Sequence, residues 1–297
     1  MKKGIIYIIG LVLLSSCEDV VEVDLPEVEP KLIVDGLVRV DKSEEFITIE
    51  IGLKESTDFF EENLPVQADS VVISYGTIAE DGLFELQARS QLAEKEPETG
   101  IYVPDPDQPT DQRIPTAVAE PGTIFFLEIF YEDSHYFART EYIPTVPIDN
   151  LEQGDDTLFG EDETELIITI TDTPDRDDYY LFDFMYGEFL TVEDTFVKGQ
   201  QFQFSYFYDD NLNAGQDVTI SILGASKEFY NYMGLVLEQS GNNGGVFQTP
   251  VATAIGNVFD ITGFDPMEML HGEQQPNDFA LGYFAVTQTY SRTITIE

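Results

Sequence analysis

The sequence predicts a mainly β protein built of antiparallel β-sandwiches. Its N-terminal half is expected to be immunoglobulin-like, and its C-terminal half to pack one α-helix against the strands. Three observations lead there. Apolar and polar residues alternate with period two along most of the chain, the pattern of strands with one buried face. Hydrophobic residues make up 42% of the 297, including 22 Phe and 15 Tyr, which suffices for a packed core. Helical spacing is convincing in one segment only, SKEFYNYMGLVLEQSG.

Taken in order, KLIVDGLVRV (31–40) reads as a first strand with a kink near Asp35-Gly36. In 46–53, Ile47, Ile49, Ile51 and Leu53 share a face. Strands at 70–75 and 83–87 flank a turn at Glu80-Asp81-Gly82, and those at 123–131 and 136–142 flank Glu132-Asp133-Ser134-His135 as a hairpin. Between these pairs, EKEPETGIYVPDPDQPTDQRIP (94–115) is rich in proline and acid and reads as a long exposed loop. Further strands are expected at 166–171, 179–186, 201–208, 217–223 and 282–296. In the helix, Ser226 suits the N-cap, Glu228 the first turn and Gly241 the stop, with Phe229, Met233, Val236 and Leu237 on one face.

Four segments follow: residues 1–16 as a signal peptide, 17–29 as an acidic tether, 30–148 as an N-terminal β domain and 149–297 as a C-terminal one. The last boundary rests on Pro144-Thr145-Val146-Pro147 and the polar stretch after it, which also fits a loop inside one continuous domain.

With 14 basic and 57 acidic residues the formal charge is −43. That excludes the positive footprint nucleic-acid binding needs and disfavours docking of the folded part on anionic lipid. At the N-terminus, Lys2 and Lys3 precede an apolar run from Gly4 to Leu14, too short to span a bilayer. Leu14-Ser15-Ser16-Cys17 resembles a lipobox, in which the chain is cut before the cysteine and the thiol is acylated. Cys17 is the single cysteine, so disulfides are excluded, and lipid attachment is its expected role. Glu18 and Asp19 open an acidic patch that resembles the export signal of Bacteroidetes-type surface lipoproteins. The expected location is the outer membrane, lipid-anchored and facing the exterior.

No catalytic site is expected. The two histidines, His135 and His271, lack the nucleophile, carboxylate or helical spacing that hydrolase or zinc sites require. With so many acids, carboxylate pairs of the glycosidase kind cannot be chosen by sequence. Asp209, Asn211 and Asn213 resemble a calcium loop, but the glycine falls one place late and Ile220 stands where the closing glutamate belongs, so a polar hairpin turn fits as well. The stretch from Asp172 to Asp178 allows the same two readings. Phe202, Phe204, Tyr206 and Tyr208, and Tyr180, Phe182, Phe184 and Tyr186, form aromatic stripes that suit sheet-to-sheet burial or contact with a sugar or partner. No cofactor is expected.

Several short stretches together resemble one family of Bacteroidetes-type surface lipoproteins, domain of unknown function 4249. They are Cys17 with its acidic tether and EPKLIVDGLV, Thr140-Glu141-Tyr142-Ile143-Pro144, Asp172 to Pro174 with Asp178-Tyr179-Tyr180-Leu181, EFYNYM, Gly256-Asn257, and Leu281-Gly282-Tyr283-Phe284-Ala285. The resemblance implies a β-rich protein, encoded near TonB-dependent receptors, with no catalytic residues to carry over. The expected function is that of a non-enzymatic accessory or ligand-binding partner of such a receptor, with contacts at the loops 94–115 and 263–278. A structural or adhesive surface module and a carboxylate-based hydrolase are the alternatives.

Overall fold

β1 (Leu32–Val40) turns Leu32, Val34, Val38 and Val40 to one side and Asp35, Leu37 and Arg39 to the other, as its alternation dictates. In the computed structural model, which describes residues 30–57, 62–158, 160, 163–196, 198–208, 212–241, 254–264, 276 and 278–297, the strand runs through Asp35-Gly36 in unbroken register and the expected kink is not seen. Next come β2 (Ile51–Glu55), β3 (Leu64–Pro65), β4 (Ser70–Ile78), β5 (Phe84–Glu94), β6 (Ile101–Pro104), β7 (Ile124–Tyr131) and β8 (Ser134–Ile143). The second half adds β9 (Ile148–Gln153), β10 (Thr164–Thr171), β11 (Tyr179–Asp183), β12 (Phe189–Glu193), β13 (Gln201–Tyr208) and β14 (Asp217–Ala225). Helix α1 (Lys227–Gly241), β15 (Val258–Asp260) and the long β16 (Leu281–Thr295) complete the chain.

In space the first half reads β1-β2-β6-β5-β4-β7-β8, each neighbour antiparallel. The seam between β8 and β1 is filled by the first half of β16, parallel to both. Ile33 to Val40 pair with Leu281 to Gln288, and Tyr142 and Ile143 pair with Val286 and Thr287. Eight strands thereby close into a barrel. This overturns the immunoglobulin-like sandwich expected of the N-terminal half. Alternation is the same in a sandwich and a barrel, and closure depends on a strand almost 250 residues away from β1.

The barrel interior is filled, as eight strands allow. Ile51, Leu53, Leu127, Ile129, Tyr142 and Phe284 are all buried within it. At the closing seam Gly282 has φ +97°, and a Cβ there would lie 1.9 Å from the Val34 carbonyl oxygen, so only glycine fits. Two further expectations are corrected. The stretch 94–115 is not simply an exposed loop, since it contains β6 and sends Tyr102 and Ile114 into the core. Strand pairing in 46–53 begins only at Ile51, although Ile47 and Ile49 are buried on the same side.

Past the barrel, residues 289–295 of β16 pair with β14, giving the order β12-β11-β14-β16. A second sheet, β13-β10-β9, faces it across a core of Leu166, Ile168, Ile170, Phe182, Ile220 and Ile222. β9 occupies part of the stretch read as a polar boundary. The aromatic stripes meet in this core: Phe184 stacks on Tyr206 at 3.6 Å between centroids, and Phe182 meets Phe204 edge-on at 5.1 Å. Tyr186 departs from its stripe and is exposed. On the other side of the β11-β14-β16 sheet lies α1. The Ser226 hydroxyl accepts from the Phe229 N–H at 3.1 Å, the expected cap. Phe229, Tyr230, Tyr232 and Met233 pack on Leu181, Leu223, Ala285 and Tyr283, whereas Val236 and Leu237 stay half-exposed.

Candidate functional site

β1 and β16 run side by side, so their outward residues form one continuous surface. Near the start of this surface α1 covers Leu37, Tyr283 and Ala285. Beyond the helix the surface turns polar and opens into a groove of about 670 Å³. Its walls and floor come from Asp35, Leu37 and Arg39 of β1, Thr289 and Ser291 of β16, and Phe189 at the start of β12. Asp41, Glu44, Thr48 and Glu50, from the connection between β1 and β2, complete the lining. A cavity of this size suits a small ligand or a short segment of a partner, and its lining is polar where such sites are usually apolar.

Arg39 is the single cation in the lining among the described residues. Its Nη2 donates to Asp183 Oδ2 at 2.6 Å, tying the barrel wall to β11 with both groups partly buried. At the rim, Lys95 Nζ donates to Glu50 Oε1 at 2.5 Å. That bond and the charge of Glu50 push the Lys95 ammonium above its usual range. Asp41 accepts from the Ser43 N–H and hydroxyl, at 2.8 and 2.7 Å. Asp35, Asp41 and Glu44 have no cationic partner among the described residues. Burial raises the Tyr232 phenol above the usual tyrosine value, and the nearby Asp35 charge adds to it.

The hydroxyls along β16 divide into two groups. Thr293 pairs with Thr219 and Ser291 with Ser221, each at 2.8 Å, and Thr295 donates to Asp217 Oδ1 at 2.6 Å. Thr287 and Thr289, on the same surface, are buried with hydroxyls that find no partner. Leaving such a group unpaired costs about 1–3 kcal/mol.

A second polar cluster lies between the two sheets of the second half. The Tyr180 hydroxyl donates toward Asp172 Oδ1 and lies 3.0 Å from Asp178 Oδ2. The Gly199 N–H donates to Asp172 Oδ2 at 2.7 Å, and the Asp178 N–H to Asp194 Oδ2 at 2.9 Å. Asp172, Asp178 and Asp194 are all buried, so the turn from 172 to 178 is anchored at both ends rather than solvated throughout. Burial, then the bond to Asp172, drives the Tyr180 phenol far above its usual range.

Of the residues singled out by sequence, Cys17, Glu18, Asp19, Asp209, Asn211 and His271 lie outside the described residues. Asn213 forms a turn: its N–H donates to Gln216 Oε1 at 3.1 Å, and its carbonyl accepts from the Gln216 N–H at 3.0 Å. His135 stacks on Phe130 at 4.1 Å and sits 3.5 Å from Glu128. Among the described residues no group of three or more His, Cys, Asp or Glu is placed to hold a metal, and no helix is long and apolar enough to cross a membrane. Of the two loops expected to make contacts, 94–115 gives the short strand β6 to the barrel and is mostly loop outside it, and most of 263–278 lies outside the described residues.

Sequence reasoning missed the groove. Its traces were the charged Asp35 and Arg39 on the outward side of an otherwise apolar strand, and the alternate hydroxyls of TQTYSRTIT. Nothing local says that these two stretches are neighbours. The sequence finds no match among curated proteins. It does match the model of one family over residues 18–293, and the chain accordingly belongs to that family, described as a domain of unknown function (DUF4249).

Proposed function

We propose that this chain is a non-enzymatic, lipid-anchored protein of the outer membrane surface. It serves as an accessory or ligand-binding partner of a TonB-dependent uptake receptor, and the groove beside β1 is its contact site. One observation carries the reading. A polar groove of about 670 Å³ is lined by Asp35, Asp41 and Glu44, which have no cationic partner among the described residues. A lipid on Cys17 would confine the groove beside receptors, raising its effective concentration there.

The test is capture of the full-length lipidated protein from native outer membranes. A TonB-dependent receptor should co-purify with the unaltered chain. Thr48→Arg, an exposed change that fills the groove, should lose it. Absence of any receptor from the unaltered sample would overturn the accessory role, and equal capture by Thr48→Arg would overturn the groove as the contact.

A further inference from the structure

We infer that the groove takes a positively charged, amine-bearing ligand, of the class of a lysine-containing peptide. This deepens the function proposed above and rests on the groove being a binding site. Two independent observations support it. The first is charge. Asp35, Asp41 and Glu44 line the groove without a cationic partner among the described residues, and Arg39, the single cation in the lining, is already held by Asp183. An anionic ligand would meet a net negative lining there, while an ammonium would find carboxylates with no competing partner. Phe189, half-buried at the wall, offers an aromatic face of the kind that attracts cations.

The second observation is an unsatisfied hydroxyl. Thr289 is more than nine-tenths buried, lines the groove, and its Oγ1 has no hydrogen-bond partner among the described residues. Thr287, two residues earlier on the same surface, is also buried with an unpaired hydroxyl, but it does not line the groove. Ser291 and Thr293, the next two positions, are each paired across to β14. Of the two β16 hydroxyls that line the groove, that of Ser291 is therefore satisfied and that of Thr289 is not. A donor such as an ammonium or a peptide N–H would complete the Thr289 hydroxyl.

Thr289→Val keeps the shape of the side chain and removes the hydroxyl, so the two roles of this residue have opposite signs. The variant should melt higher, because an unpaired buried polar atom is gone, and bind more weakly. The experiment titrates the full chain in detergent with a lysine tripeptide, using maltotriose and a glutamate tripeptide as neutral and anionic probes. Saturable one-to-one binding of the lysine tripeptide is expected, weakening as salt rises from about 50 to about 150 mM. Asp35→Asn with Glu44→Gln should weaken it about tenfold, and Thr289→Val roughly threefold. The charge-matched control, Glu85→Gln with Glu141→Gln at exposed positions outside the groove, should leave it unchanged. Equal loss in that control would show attraction to the acidic surface at large and overturn the inference. So would a preference for maltotriose, or binding undisturbed by Thr289→Val. Receptor capture separates the two claims. A receptor captured by a groove that ignores the lysine tripeptide sinks the ligand class alone, and a groove that binds the peptide with no receptor captured sinks the accessory role alone.

Discussion

The barrel and the sheets beyond it solve the same problem in different ways. Both are made of alternating strands, yet the barrel closes on itself and leaves no free edge among its eight strands, whereas the second half ends its sheets at β12, β13 and β9. Their interiors differ too. Buried polar residues of the barrel wall are hydroxyls such as Ser74, Ser90 and Thr123, while all four buried carboxylates among the described residues, Glu165, Asp172, Asp178 and Asp194, belong to the second half. β16 runs through both, first as the eighth barrel strand and then as a neighbour of β14. The barrel is therefore a scaffold stabilised by closure. The second half is held by specific polar bonds, and the groove forms where one strand passes from the first regime to the second.

Breaking closure should have the largest effect. Gly282→Ala would force a side chain against the Val34 carbonyl in a backbone region that favours glycine, at an expected cost of about 3–5 kcal/mol in denaturant unfolding. Because β16 is shared, both halves should weaken in one transition; separate transitions would break the comparison from the barrel side. Tyr180→Phe tests the other side. It removes the donor shared by Asp172 and Asp178 and should cost about 2–4 kcal/mol, although only one oxygen atom is lost. A loss under about 0.5 kcal/mol, the usual size of a surface change, would mean that those bonds do not hold the second half together.

Alkaline pH should act on both regions alike. Burial holds the phenols of Tyr142 in the barrel and Tyr180 and Tyr208 in the second half well above the tyrosine value of 10.0, and pushes Tyr283 to about 12. The fold thus favours the neutral phenol. The stability this provides is complete below the unfolded value near 10 and is lost as pH climbs through the folded values. Phenolate absorbance from these four should appear only together with unfolding, and their titration near 10 in the folded chain would contradict the packing described. Ser226→Ala, which removes the helix cap, should be mildest, at about 1 kcal/mol in the same transition.

How much of this could be read in the sequence follows from the range of each interaction. The alternation of β7 and β8 and the capped spacing after Ser226 are local, and both elements fall where expected. The aromatic stripes of β11 and β13 also announced a core, because so much apolar area has few other destinations. Closure was invisible, since alternation states that a strand has a buried side but not which strand lies next to it. β6 was hidden within proline and acid, and β9 within a polar stretch. The burial of Asp172 and Asp178 depends on Tyr180 reaching both, which their spacing does not declare. The groove was least legible of all, because Arg39, Phe189 and Thr289 are far apart along the chain and meet only after β16 has taken its place.

That placement is tested most directly by amide hydrogen exchange on the full chain, comparing residues 282–288 with β7. If β16 closes the barrel, its first half should exchange as slowly as residues 124–131, since both would open only with the whole core. Rapid exchange across 282–288 while 124–131 stays protected would contradict closure, and with it the groove that the shared strand creates.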